Sequence, residues 1–145
     1  MIDKEFTMIE RAMLIAIDAH KGQKRKYSNL PYIVHPIAVF QKVEGEDASV
    51  VALLHDVVED SDIELESLYQ VFPERIVDAV GCLTKRKDET YKDFVLRAKE
   101  NELARIVKIA DIEHNLSTLP GKHKLRDRYN KALKELRDGK ESRIC

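Results

Sequence analysis

Apolar residues recur along this chain at intervals of three and four, and sustained alternation at an interval of two is absent. With proline and glycine also scarce, the pattern predicts helices joined by short turns. In residues 4–21, Ile9, Ala12, Met13 and Ala16 share one stripe, His20 follows one turn later, and Gly22 supplies the stop. The stretch 23–36 is expected as a loop, because Pro31 and Pro36 interrupt it and Ser28 with Asn29 supplies turn chemistry. Pro36 suits the first position of a helix over 36–43, which leaves His35 at its entrance. A turn at 45–47, with Asp47 as N-cap, leads into a helix carrying VVALLHDVVED at 50–60.

Further helices are expected at 62–69, at 74–83 with Ile76, Val77 and Val80 inward, and at 90–99 with Tyr91, Phe94 and Val95 inward. The helix over 102–119 places Leu103, Ile106, Val107 and Ala110 on a buried face. Asp111, Asn115 and Thr118 continue that line as a polar stripe. A last helix, 125–137, has Leu125, Tyr129, Ala132, Leu133 and Leu136 on one side and reads as a closing element on the core. The fold class is all-α, a single domain over 1–145, without internal repeat or linker.

A net charge of −1 disfavours a long polyanion as partner, so no nucleic acid is expected. The apolar runs fall well short of the roughly 18 residues that span a membrane. Cys82 and Cys145 show no framework spacing and read as non-catalytic thiols of a reducing, cytoplasmic compartment. Basic residues cluster at Lys21–Lys26, 85–87 and 122–128, and the first group lies close to chemically interesting residues.

On a continuous helix, His55 would sit beside Glu59 and Asp56 beside Asp60. An apolar helix that carries such groups inward must pair them, hydrogen-bond them or coordinate a metal. His35, His55, Asp56 and Asp111 form a mixed nitrogen and oxygen set suited to manganese, iron or zinc, whereas Glu59, Asp60 and Asp62 alone could equally be a solvated helix end.

Four ordered stretches, AHKGQKRK at 19–26, PYIVHP at 31–36, LLHDVVED at 53–60 and KIADIEHNLSTL at 108–119, together resemble the HD-domain metal-dependent phosphohydrolases. Within these the chain is similar to Rel/SpoT-type hydrolases of the alarmone ppGpp, guanosine 3′,5′-bis(diphosphate). The resemblance implies an HD-type helical bundle with Mn2+ held by His35, His55, Asp56 and Asp111. It implies Glu59 and Asp60 as the catalytic acidic pair, Arg25 and Lys26 as the basic pair that meets the nucleotide, and Asn115 and Thr118 as further nucleotide contacts. It also implies a stand-alone hydrolase releasing GDP and pyrophosphate. Residues 27–30 lack the glycine common in that loop, and Ser117 stands where arginine is frequent; both positions border the nucleotide site that the resemblance implies.

Rival substrates on the same site are an adenine alarmone, a nucleoside monophosphate or NADPH. A nucleotide sensor that keeps the metal without catalysis is disfavoured by the complete acidic pair, and the amphipathic last helix leaves a homo-oligomer open. His20 and His114 read as core residues, with support of a ligand carboxylate as the alternative, His123 as surface and Lys24 as solvated.

Overall fold

The computed structural model describes residues 5–142, with side chains to 138. Nine helices and no strand occur among the described residues: α1 (Met8–His20), α2 (Val34–Lys42), α3 (Glu46–Leu54), α4 (Val57–Asp60), α5 (Leu65–Leu68), α6 (Glu74–Cys82), α7 (Tyr91–Lys99), α8 (Glu102–Thr118) and α9 (Leu125–Ser142). The expected all-α bundle is what forms. No described helix is long and apolar enough to cross a membrane.

α3 is the axle. Every residue from Ala48 to Leu54 is buried, and α1, α2, α6 and α8 all pack against this helix. A helix enclosed on all sides needs no polar face, which is why its run reads as almost uniformly apolar. Burying each Val or Leu contributes roughly 1.5–3 kcal/mol. A second, smaller cluster of Val95, Ile112, Ala132, Leu133 and Leu136 closes the gap between α7, α8 and α9.

Several boundaries differ from the expected ones, for local reasons. The start at Lys4 lies outside the described residues, and α1 begins only after Thr7. Thr7 Oγ1 accepts from the Glu10 amide while Glu10 accepts from the Thr7 amide, a reciprocal cap. α2 begins at Val34, so His35 lies inside the helix and Pro36 in the first turn, where a missing N–H costs nothing. Gly45, at φ 92°, turns the chain ahead of α3, and the expected cap Asp47 is instead gripped by Arg75 at 2.7 and 3.1 Å. The short helix expected at 62–69 shrinks to α5. On α8, Ile106 is 40% exposed, not buried; the inward positions are Ala104, Val107, Lys108, Ala110, Asp111 and Ile112. Cys145 lies outside the described residues, and burial raises the Cys82 thiol pKa.

The largest correction concerns 50–60, which is not one helix. His55 Nδ1 donates to Ala52 O at 2.6 Å, taking the carbonyl that a continuous helix would offer to the Asp56 amide. The helix stops at Leu54 and restarts at Val57. His55 and Asp56 thus sit on a bend between α3 and α4.

Candidate metal centre

That bend, the first turn of α2 and the middle of α8 bring four side chains to one point, three of them buried and Asp56 partly so. His35 Nε2 lies 2.8 Å from Asp111 Oδ1 and 3.7 Å from Asp56 Oδ2. His55 Nε2 lies 3.1 Å from Asp56 Oδ2 and 3.5 Å from Asp111 Oδ1. One ligand atom from each of His35, His55 and Asp111 falls within a common 4.8 Å. Metal–ligand bonds of 2.0–2.2 Å put neighbouring donor atoms about 3 Å apart, the spacing seen here.

The ring orientations fit a cation. His55 gives its Nδ1 proton to Ala52 O, which leaves Nε2 as the ring atom that faces the two carboxylates, buried and without a hydrogen bond. His35 Nδ1 meets His114 Nδ1 at 2.8 Å, the rings stacked at 5.0 Å. Burial and the neighbouring His35 lower the His114 pKa to about 4, so His114 is neutral and can accept the His35 proton, turning His35 Nε2 toward Asp111. Burial of His55 disfavours its imidazolium, but Asp56 and Asp111 outweigh this and hold its pKa well above the ordinary value. A divalent cation answers the same surplus of negative charge.

Each carboxylate has its own support. Lys108 Nζ donates to Asp111 Oδ2 at 3.0 Å and lies over the rings of Phe94, at 4.5 Å, and Tyr91, at 5.8 Å. Burial works against both charges, yet their mutual attraction raises the Lys108 pKa and lowers that of Asp111. Asn115 Nδ2 donates to Asp111 Oδ1 at 3.2 Å, and Tyr32 donates its hydroxyl to Asp56 Oδ2 at 2.6 Å. Burial and the Asp56 charge raise the Tyr32 pKa, keeping it a neutral donor. Desolvation works against the charge of Asp56, which His55 nonetheless holds below the usual carboxylate range.

Of the acidic pair, Glu59 Oε1 accepts from the Lys85 amide at 2.9 Å, so the α6–α7 turn holds it. Asp60 accepts from Gln23 Nε2 at 2.8 Å through its backbone carbonyl. Its carboxyl is pushed up to about 7 by partial burial and by the charges of Asp56 and Glu59.

Beside the centre lies a cleft of about 380 Å³ lined by Lys24, Arg25, Lys26, Tyr27, Tyr32, Asn115, Thr118 and Tyr129, among others. Its floor is the hairpin at 23–32, closed by Arg25 N to Leu30 O at 2.9 Å and Tyr32 N to Gln23 O at 2.8 Å. Arg25 Nη2 reaches across to Asn115 Oδ1 at 3.3 Å and Thr118 Oγ1 at 2.9 Å. Tyr32 and Asn115 therefore touch both the cleft and the carboxylates of the centre. His123, expected on the surface, meets the Tyr27 hydroxyl at 2.9 Å in an exposed contact.

The structure thus adds four participants that pattern reading left unassigned or placed elsewhere: Tyr32, Lys108, His114 and Gln23. Lys108 was within reach of the pattern, standing three residues before Asp111 on an expected helix. His20 pairs its Nδ1 with Gln23 Oε1 at 2.9 Å, and so takes part in the same network.

Over 127 residues the chain is 35% identical to a probable guanosine-3′,5′-bis(diphosphate) 3′-pyrophosphohydrolase of Synechocystis, with 77% of this chain and 17% of that protein covered. Over 133 residues it is 30% identical to the bifunctional (p)ppGpp synthase/hydrolase SpoT of Escherichia coli K12, covering 81% of this chain and 19% of that one. It shares its fold, at a TM-score of 0.74 and 26% identity, with a metazoan SpoT orthologue described as hydrolysing ppGpp and acting in starvation responses, over 94% of this chain and 89% of that one. The chain belongs to the HD-domain, Rel/SpoT-type family. It spans under a fifth of the length of these curated bacterial relatives. No family model matches it. Within the HD-domain frame, the two histidines and Asp111 form the cluster that suits a divalent metal cofactor.

Proposed function

We propose that the chain hydrolyses guanosine 3′,5′-bis(diphosphate) to GDP and pyrophosphate, with Mn2+ held by His35, His55, Asp56 and Asp111. One juxtaposition carries this reading: a buried cluster of His35, His55 and Asp111, with the half-buried Asp56 beside it, adjoins a basic cleft of nucleotide scale. The names of the Synechocystis relative and the metazoan orthologue point to the same substrate.

When bound, the divalent cation supplies a Lewis acid that lowers the pKa of water from about 16 towards about 7 and offsets phosphoryl charge. Glu59 orients the attacking water and takes its proton, with Asp60 beside it. Attack on the phosphorus attached to the ribose 3′ oxygen breaks that P–O bond. The 3′ oxygen leaves with a proton as the hydroxyl of GDP, and pyrophosphate departs. Arg25 and Lys26 pair with the diphosphate, the guanidinium fork matching its oxygens. Asn115 and Thr118 hold the ribose and base side, which selects the phosphorus presented to the water. Residues 1–145 act as one cytoplasmic hydrolase domain on a small nucleotide, singly or as a homo-oligomer, without nucleic acid or membrane.

The test is hydrolysis of ppGpp by protein stripped of metal and reloaded with Mn2+, following GDP and pyrophosphate. An adenine alarmone, nucleoside monophosphates and NADPH are run alongside. Mn2+-dependent pyrophosphate release from ppGpp is the expected result. Inertness toward ppGpp with turnover of another substrate would discard the alarmone and keep the site.

A further inference from the structure

We infer that Arg97 is a positioning residue that sets Glu59 through the peptide joining Thr84 to Lys85; this rests on the reading that Glu59 orients the attacking water. The two ends of that peptide are held from opposite sides. Its N–H, on Lys85, donates to Glu59 Oε1 at 2.9 Å, and its C=O, on Thr84, accepts from Arg97 Nη2 at 2.8 Å. The described peptides are all trans, so N–H and C=O point in opposite directions in one stiff plane. Holding the oxygen therefore aims the amide.

Arg97 is itself fixed. From α7 its Nη1 donates to Gly81 O at 2.9 Å, and its Nε and Nη2 form a fork on Glu89 at 2.8 and 2.9 Å. Glu89 Oε1 also accepts from the Arg86 amide at 3.0 Å, and Thr84 Oγ1 donates back to Val80 O at 2.9 Å. The turn between α6 and α7 is thus tied to both helices, and its Lys85 amide is the one that meets Glu59 on α4. The guanidinium also draws electron density from Thr84 O. That makes the Lys85 N–H a stronger donor to the Glu59 carboxylate, because hydrogen bonds in series polarise one another.

A turn staple with no bearing on Glu59 would look similar in a stability measurement, so the test must read coupling. The variants are Arg97→Lys, Glu59→Gln and the two combined, each loaded with Mn2+ and assayed on ppGpp for kcat and KM, with bound manganese measured. Expected are a fall in kcat of about tenfold for Arg97→Lys with KM within about twofold, the pattern of an interaction made in the transition state. Bound manganese stays at the wild-type level, and the fall vanishes on the Glu59→Gln background. An equal fall on both backgrounds, or a rise in KM at constant kcat, overturns the positioning role and leaves Glu59 in place. An unchanged kcat in Glu59→Gln alone overturns both the role of Glu59 and the inference built on it. Should Arg97→Lys fail to fold, Glu89→Gln loosens the fork while sparing Arg97, and the same dependence on Glu59 is expected with a smaller fall; independence from Glu59 overturns the inference there too.

Discussion

Lys108 Nζ, buried under the rings of Phe94 and Tyr91, donates to Asp111 Oδ2 at 3.0 Å while the other oxygen of Asp111 faces His35 Nε2 at 2.8 Å. The lysine therefore shares one carboxylate with the proposed metal. Removing one partner of a buried ion pair costs about 3–5 kcal/mol because the other charge is left unpaired. In Lys108→Met, Asp111 loses its buried lysine and, without metal, retains only the neighbouring imidazoles to offset its charge. The variant should lose thermal stability most in the metal-free protein and regain part of it in saturating Mn2+, which by linkage requires Mn2+ to bind at least as tightly as in the wild type. Melting curves with and without Mn2+, and a Mn2+ titration, check this; wild-type values in both would show that Lys108 does not support Asp111.

Tyr32 supports the other carboxylate. Its hydroxyl donates to Asp56 Oδ2 at 2.6 Å. Tyr32→Phe keeps the ring that packs against His20 and His35 and deletes only the donor. Loss of a hydrogen bond to a charged group costs roughly 1.5–3 kcal/mol. Weaker Mn2+ binding with an intact fold is expected, read by isothermal titration beside circular dichroism; unchanged affinity would place the Tyr32 hydroxyl outside the metal's support.

These supports also mark what could and could not be read from the chain. The apolar stripes of α1, α6, α7 and α9 were legible because each helix buries one face, and spacing reports faces. The meeting of His35, His55, Asp56 and Asp111 was anticipated from four ordered motifs, and the geometry brings those side chains together. The break at His55 was not legible, since it depends on a ring bonding the carbonyl three residues back, a choice that hydrophobic periodicity does not encode. Thr7 and Glu10 carried a readable capping signature, yet the apolar stripe alone drew the start of α1 too early. Tyr32 and His114 act through contacts across 24 and 79 residues of sequence, and only the packed fold reveals such pairs.

Arg25 separates binding from chemistry. Its guanidinium spans the cleft to Asn115 and Thr118 and touches neither histidine nor carboxylate of the centre. A charged contact made equally to substrate and transition state changes KM and leaves kcat. Arg25→Ala should raise KM for ppGpp by about 10–100-fold, the equivalent of one charge-assisted bond, with a smaller effect on kcat. Steady-state kinetics at saturating Mn2+ decide the matter. A collapse of kcat at constant KM would move Arg25 into the reacting centre.

Glu89 gives the fold an acid-sensitive clasp away from the metal. Hydrogen bonds from Arg97, opposed by some burial and aided by the Arg86 amide, lower its pKa from 4.5 to about 2. A carboxylate whose pKa is depressed by folding contributes stability above its unfolded value, and loses that contribution as pH falls through the folded one. Glu89→Gln should therefore melt below the wild type at pH 7, and the gap should narrow between pH 4.5 and about 2 as the wild-type carboxylate takes up its proton. Paired melting curves across that range are the measurement. No gap at any pH would mean that the clasp works by shape, since glutamine preserves the shape and removes the charge.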